Sequence, residues 1–137
     1  MDLYSRKIIA WTLSRTLEVP EVLECIKTVK RIRKTANPVI IQNDRGVHYT
    51  SNRYKKLTAG LICSYSRKGN PWDNACIESY HSLIKRKWLN RFKIMDYNHA
   101  YNLIFEYLEG FYNTVRINSH CNYLSPNVYE GNYQLLS

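Results

Sequence analysis

Val39-Ile40-Ile41-Gln42-Asn43-Asp44-Arg45-Gly46 sets an apolar run, an aspartate and a glycine in close succession. Asn37-Pro38 in front of it breaks any preceding helix, so Val39–Ile41 reads as a short buried strand whose carboxyl end carries Asp44. Gly46 suits a tight exit from that strand. Further on stands Gly69-Asn70-Pro71-Trp72-Asp73-Asn74-Ala75-Cys76-Ile77-Glu78-Ser79. Here Asp73 or Asn74 is expected to cap a helix running to about Arg91, with Glu78 one turn inside it. One carboxylate at a strand end and one on a helix are the hard oxygen ligands that Mg²⁺ takes in phosphoryl transfer on nucleic acid. Open α/β sheets place their ligands at such strand ends. Ser82 and Lys85, four and seven residues beyond Glu78, share nearly the same helical face. Taken singly, an aspartate at a strand end more often forms a turn, and a glutamate in a first helical turn more often offsets the helix dipole.

The segments on either side predict a layered order. Lys7–Leu13 reads as a mostly buried strand after a turn near Ser5-Arg6. Residues 20–34 form an amphipathic helix. Pro20 opens it, Glu21 and Glu24 lie near the positive end of its dipole, and Lys30, Arg31, Arg33 and Lys34 lie near the negative end. Its stripe is Val22, Cys25 or Ile26, Val29 and Ile32. Ser51 caps a short helix through Leu57 that Gly60 ends, and Leu61–Tyr65 is another apolar strand. In the Glu78 helix the buried face is Ile77, Tyr80 or His81, Ile84 and Trp88. A last helix, about Asp96 to Asn113, carries Ala100, Ile104, Tyr107, Leu108 and Phe111 inward, and a loop with Ser125-Pro126 follows. Strands alternating with helices argue one α/β domain.

The chain has 137 residues, 45% of them hydrophobic, which is enough for one core. Its net charge is +9. The cations cluster at Lys27–Lys34, at Arg67-Lys68, and at Lys85, Arg86, Lys87, Arg91 and Lys93, which suits a polyanionic partner, although charge alone fits an ordinary solvated basic surface equally well. Cys25, Cys63, Cys76 and Cys121 have no zinc-site or paired spacing and read as reduced thiols. No apolar run suggests a secretory signal or a membrane span.

The words Asp44-Arg45-Gly46-x-x-Tyr49-Thr50-Ser51, Ser64-Tyr65-Ser66-Arg67-Lys68-Gly69-Asn70 and Asp73-Asn74-Ala75-x-x-Glu78-Ser79 stand in an order that resembles the catalytic core of insertion-sequence transposases, in the superfamily of retroviral integrases. Asp2-Leu3-Tyr4-Ser5-Arg6-Lys7-Ile8, Tyr112-Asn113-x-x-Arg116 and Ser125-Pro126-x-x-Tyr129 extend the resemblance over essentially the whole chain. It implies a ribonuclease-H-like α/β fold and an Asp-Asp-Glu triad that binds Mg²⁺ or Mn²⁺ and cuts and joins DNA. Asp44 matches the second aspartate and Glu78 the glutamate, both as catalytic residues and as metal ligands. Arg67, Lys68, Lys85, Arg86 and Lys87 are the expected DNA-binding cations. The implied partners are DNA, as element ends and target, and further copies of the chain on that DNA. The implied setting is a bacterial cytoplasm and nucleoid, with no membrane.

The family's first aspartate lies upstream of the Asp-Leu-Tyr-Ser-Arg word, which here begins at residue 2; Asp2 is a different position. The expectation is therefore one partial integrase core over 1–137, lacking its first strand and most of its second. Residues 1–93 would carry the core through the Glu78 helix, and 94–137 the last helix and tail. A two-metal site would need the missing aspartate. Thirty-three residues separate Asp44 from Glu78, slightly fewer than is usual in the family, the loss falling near Thr58-Ala59-Gly60. Gln42-Asn43 stands where His-Ser is common, and Asn118 where a histidine follows Arg116. The alternative function is a non-catalytic remnant that binds DNA or full-length transposase and dampens transposition. A basic RNA-binding module, suggested by 12 Tyr, 3 Trp and 3 Phe, is the third. A chain without the first strand bares a sheet edge, so marginal stability and no strand transfer are expected. A cooperative thermal melt together with Mg²⁺-dependent strand transfer by the purified chain would overturn that expectation.

Overall fold

The computed structural model describes residues 1–16, 18–33, 39–44, 46–67 and 70–136, and for Pro71 and residues 134–136 the backbone only. Lys34, Asn37, Pro38, Arg45, Lys68 and Gly69, which the sequence reading used, lie outside the described residues. The chain divides into two units, Ile9–Ala75 and Met1–Ile8 with Cys76–Ser137.

In the Ile9–Ala75 unit, helix α1 is Val19–Ile32, with Pro20 near its start, Glu21 in its first turn, and Lys30 and Arg31 in its last. Ile26 is its buried residue, whereas Ile32 is 52% exposed, so the apolar stripe is narrower than its spacing predicts. Strand β1 is Ile40–Asn43, and Asp44 follows it directly. A single turn α2, Val47–Thr50, leads into α3, Asn52–Leu57. Ser51 caps α3, its hydroxyl accepting from the Tyr54 N–H at 3.2 Å. Gly60 has φ +86°, a left-handed conformation that costs glycine nothing. Strand β2, Ile62–Tyr65, runs parallel to β1 with Ile40 beside Ile62 and Asn43 beside Tyr65. A parallel pair needs a crossover; α2 and α3 supply it, and α3 packs against α1.

The strand expected at Lys7–Leu13 does not form: among the described residues the sheet has two strands. An extended segment becomes a strand only when a neighbouring backbone satisfies its N–H and C=O groups. At Ile8 a side chain does so instead. The Ile8 N–H donates to Asn113 Oδ1 at 3.0 Å, and Asn113 Nδ2 donates to the Ile8 carbonyl at 3.1 Å. The paired residues Ile40 and Ile62, at the start of the ladder, are 66% and 51% exposed.

The second unit is helical. Helix α4, Ala75–Lys87, buries Tyr80 and Ile84. The expected cap is corrected: Asn70, not Asp73 or Asn74, accepts from the Trp72 N–H at 3.3 Å and opens a 3₁₀ turn over Pro71–Asn74 ahead of α4. A second 3₁₀ turn, Leu89–Arg91, replaces the helix end expected near Arg91. Helix α5, Tyr97–Phe105, is capped by Asp96, whose carboxylate accepts from the His99 N–H at 2.7 Å. It continues as a π-helical segment, Glu106–Tyr112. Bonds that reach back five residues, Asn113 N–H to Leu108 and Arg116 N–H to Phe111, widen this turn. Tyr107, Leu108 and Tyr112 are thereby all buried, while Phe111, expected inside, is 42% exposed. Helix α6, Pro126–Leu136, occupies what the sequence left as a loop.

The Asp2–Lys7 word folds as a turn in this unit. Asp2 Oδ1 accepts from the N–H groups of Tyr4 at 2.8 Å and Ser5 at 3.1 Å, and the Asp2 N–H donates to the Lys7 carbonyl. Tyr112 Oη donates to the Arg6 carbonyl, Cys121 Sγ to that of Ser5, and Lys7 pairs with Glu130 at 3.0 Å. Asn113→Ala strips Ile8 of both partners in a buried setting, so a loss of about 2 kcal/mol is expected, read as a lower urea midpoint at unchanged slope.

Candidate functional site

The chain leaving β1 is pinned one residue before Asp44. Asn43 is 7% exposed, and its Nδ2 donates to the hydroxyl of the fully buried Tyr54 at 3.0 Å. Its carbonyl accepts from the Ser66 N–H at 2.9 Å and the Ser66 hydroxyl at 3.2 Å. Gln42 Nε2 donates to the same hydroxyl at 3.3 Å. Asp44 then emerges into solvent, with Oδ1 accepting from the Gly46 N–H at 2.9 Å. A Cβ on Gly46 would stand 2.9 Å from that oxygen, so a side chain there would displace the Asp44 carboxylate, and the glycine is not required for its dihedral freedom. Burial, and then the charge of Asp44, push the Tyr49 phenol upward.

On α4, Glu78 is exposed in the first turn, Ser82 is half-buried, and Lys85, Arg86 and Lys87 are exposed. Cys76, in the same turn, accepts from the Arg6 guanidinium at 2.6 Å, which ties the start of the helix to the Asp2–Lys7 turn. On the inner face Tyr80 meets Tyr112 edge-on at 5.0 Å, and burial pushes the Tyr112 phenol up to about 12. Burial, with Lys85 next, pushes His81 down, against the opposing charge of Glu78.

Arg67 is already engaged. Its N–H donates to Asp73 Oδ2 at 2.8 Å, and its guanidinium reaches both Asp73 oxygens at 3.4 Å. Asn70 Nδ2 donates to Asp73 Oδ1 at 3.1 Å. Asp73, read from the sequence as a cap, is thus the hub of the loop before α4.

Asp44 lies in one unit and Glu78 in the other. Both offer the hard oxygen that Mg²⁺ and Mn²⁺ accept. Among the described residues no group of three or more His, Cys, Asp or Glu is placed to hold a metal ion. Asp2, whose carboxylate oxygen closes a turn, is not a substitute. The sequence reading also missed a cluster beyond Glu78, where Trp88, Arg91 and Arg116 meet Tyr107 and Phe111. The alternation of cations and rings in Lys87-Trp88 and Arg91-Phe92 was its only trace.

The integrase core domain profile matches residues 1–71, and a second integrase core domain profile matches residues 59–126. The transposase of insertion element IS904 from Lactococcus lactis is 36% identical over 95% of this chain and 52% of its own length. Transposase InsF of IS3A from Escherichia coli K12 is 31% identical over 95% and 46%. The IS600 uncharacterized 31 kDa protein of Shigella sonnei is 28% identical over 99% and 51%. The chain therefore spans about half the length of these relatives. The catalytic core domain of BIV integrase superposes with a TM-score of 0.61 at 16% identity, over 97% of this chain and 84% of that one. The fold is thus that of a ribonuclease-H-like integrase core. The chain belongs to the integrase core domain family, and the relatives it is similar to include insertion-sequence transposases.

The Arg67 N–H, then its guanidinium, hold the Asp73 carboxyl below the usual carboxylate range. A depressed carboxyl contributes stability above its ordinary value and loses it as pH falls through the lowered one. Asp73→Asn is accordingly expected to lower the melting temperature near neutral pH, with the gap to the parent closing as pH falls through the acid range. A gap independent of pH would contradict this.

Proposed function

We propose that this chain is the core of a DNA transposase, in which Asp44 and Glu78 supply two of the carboxylate ligands for Mg²⁺ or Mn²⁺. The single observation that supports it is the placement of Asp44. It is held at the carboxyl end of a parallel strand by the Asn43–Tyr54–Ser66 network and emerges exposed where the fold family carries its chemistry. Family profiles covering both Asp44 and Glu78 add weight. When bound, divalent ions activate the attacking oxygen and stabilise the leaving one in phosphoryl transfer. The chain's own residues bind and orient. The Gly46 N–H fixes the Asp44 carboxylate. Lys85 and Arg86, two turns along α4 from Glu78, meet DNA phosphates, as does Lys87 at its end. Arg67 shares its guanidinium between Asp73 and a phosphate, and Lys68 enters on sequence alone. DNA is the proposed partner, with further copies of the chain on it, in a bacterial cytoplasm.

The alternative reading is a non-catalytic chain that binds DNA or transposase and dampens transposition. The test joins this chain to the part of the Lactococcus lactis relative that lies outside the match and assays strand transfer from a labelled duplex in Mg²⁺. Transfer is expected from the chimera, and Asp44→Ala or Glu78→Ala should lower it by more than about a hundredfold while DNA binding persists. Variants as active as the parent chimera would sink the assignment. Dampening that survives both substitutions, with no transfer from any form, would select the second reading.

A further inference from the structure

Where α4 ends, about 13 Å along the axis from Glu78, a cavity of about 440 Å³ opens against the π-helical segment. That is within the range of pockets that hold small molecules. Besides Leu83, two kinds of side chain line it: the rings of Trp88, Tyr107 and Phe111, and the cations Lys87, Arg91 and Arg116. The rings are contiguous, with centroids 5.7 Å apart from Trp88 to Tyr107 and again from Tyr107 to Phe111. The Trp88 indole N–H donates to the Leu103 carbonyl at 2.9 Å, which fixes the ring and leaves it no polar need of its own. Tyr107 is 2% exposed. Burial raises the Tyr107 phenol and the charge of Arg116 opposes the shift, as expected of a guanidinium facing the same space.

We propose that this cavity takes one unpaired nucleotide of a DNA strand, its base on the Trp88–Tyr107–Phe111 rings and its phosphate on Lys87, Arg91 and Arg116. Every base has a face that stacks on aromatics, whatever the sequence. Guanidinium groups match phosphate geometry in a way that a scatter of lysines does not. An acidic peptide would satisfy the cations and leave the rings unused. A base within a duplex is already stacked on its neighbours, so the occupant is a single strand or a frayed end. The proposal rests on the reading that this chain acts on DNA. It gives Lys87 a task different from that of Lys85 and Arg86, which lie outside the cavity.

The test uses the full chain and three fluorescent probes: an oligothymidylate, an abasic strand with the same number of phosphates, and a duplex. The oligothymidylate is expected to bind about tenfold tighter than the abasic strand. Phe111→Ala should abolish that preference with duplex binding unchanged. Phe111→Leu, which keeps apolar bulk without a ring, should do the same with an unaltered melt, so a folding defect in the alanine variant would not decide the matter. Lys85→Ala with Arg86→Ala should weaken duplex binding and keep the preference. Equal binding of oligothymidylate and abasic strand, or equal competition by poly-glutamate against parent and Phe111→Leu, would overturn the pocket and leave DNA binding standing. Binding of no probe at all would overturn the DNA reading as well.

Discussion

The side chain and backbone of Asn113 hold the helical unit together. Its carboxamide pairs with both backbone groups of Ile8, its N–H donates to Leu108, and its carbonyl accepts from the Asn127 N–H at 2.9 Å. One residue, 2% exposed, thus joins the amino-terminal segment, the π-helical turn and the first turn of α6. Each link is a modest bond in water, but each buried group would be expensive to leave unpaired. Beside Ile8, the Asp2–Lys7 turn is closed by Asp2 and tied to the start of α4 by the Arg6–Cys76 contact.

The sheet-bearing unit solves a different problem with few residues. Two four-residue strands carry little stability of their own. Their carboxyl end is stiffened by polar bonds: the amide of Asn43 on Tyr54, and the backbone and hydroxyl of Ser66 on Asn43. Rigidity is therefore concentrated beside Asp44, while Ile40 and Ile62 at the other end of the ladder stay open to solvent. Positioning a carboxylate and building a large core are separate tasks, and these residues serve the first.

Several elements were legible because a local signal carried them. Ser51 read as a cap and is one, and Val39–Ile41 announced a strand that begins at Ile40. Lys7–Leu13 has the composition of a strand, but pairing is decided by a neighbour, which its own letters do not encode. Asp73 looks like a cap, yet Arg67, six residues earlier, recruits it and Asn70 takes the role. Helix α6 was invisible because Asn127, Gly131, Asn132 and Gln134 blur any apolar stripe; Ser125-Pro126 was seen as a word and not as a helix start. At the site, Asp44 and Glu78 were expected from their motifs, and the grouping of Trp88, Arg91 and Arg116 was missed because three segments bring them together.

The Glu106–Tyr112 segment holds slack that an α-helix of the same length would not. Tightening it to a regular α-helix of the same length would turn everything downstream by about one α-helical step of 100°. Asn113 would then face away from Ile8 with its own chemistry intact. The surplus residue acts as a phase adjuster, setting the angular position of a distant clamp. For that reason the widened turn itself, and not the identity of an exposed Glu109 or Gly110, keeps Asn113 on Ile8.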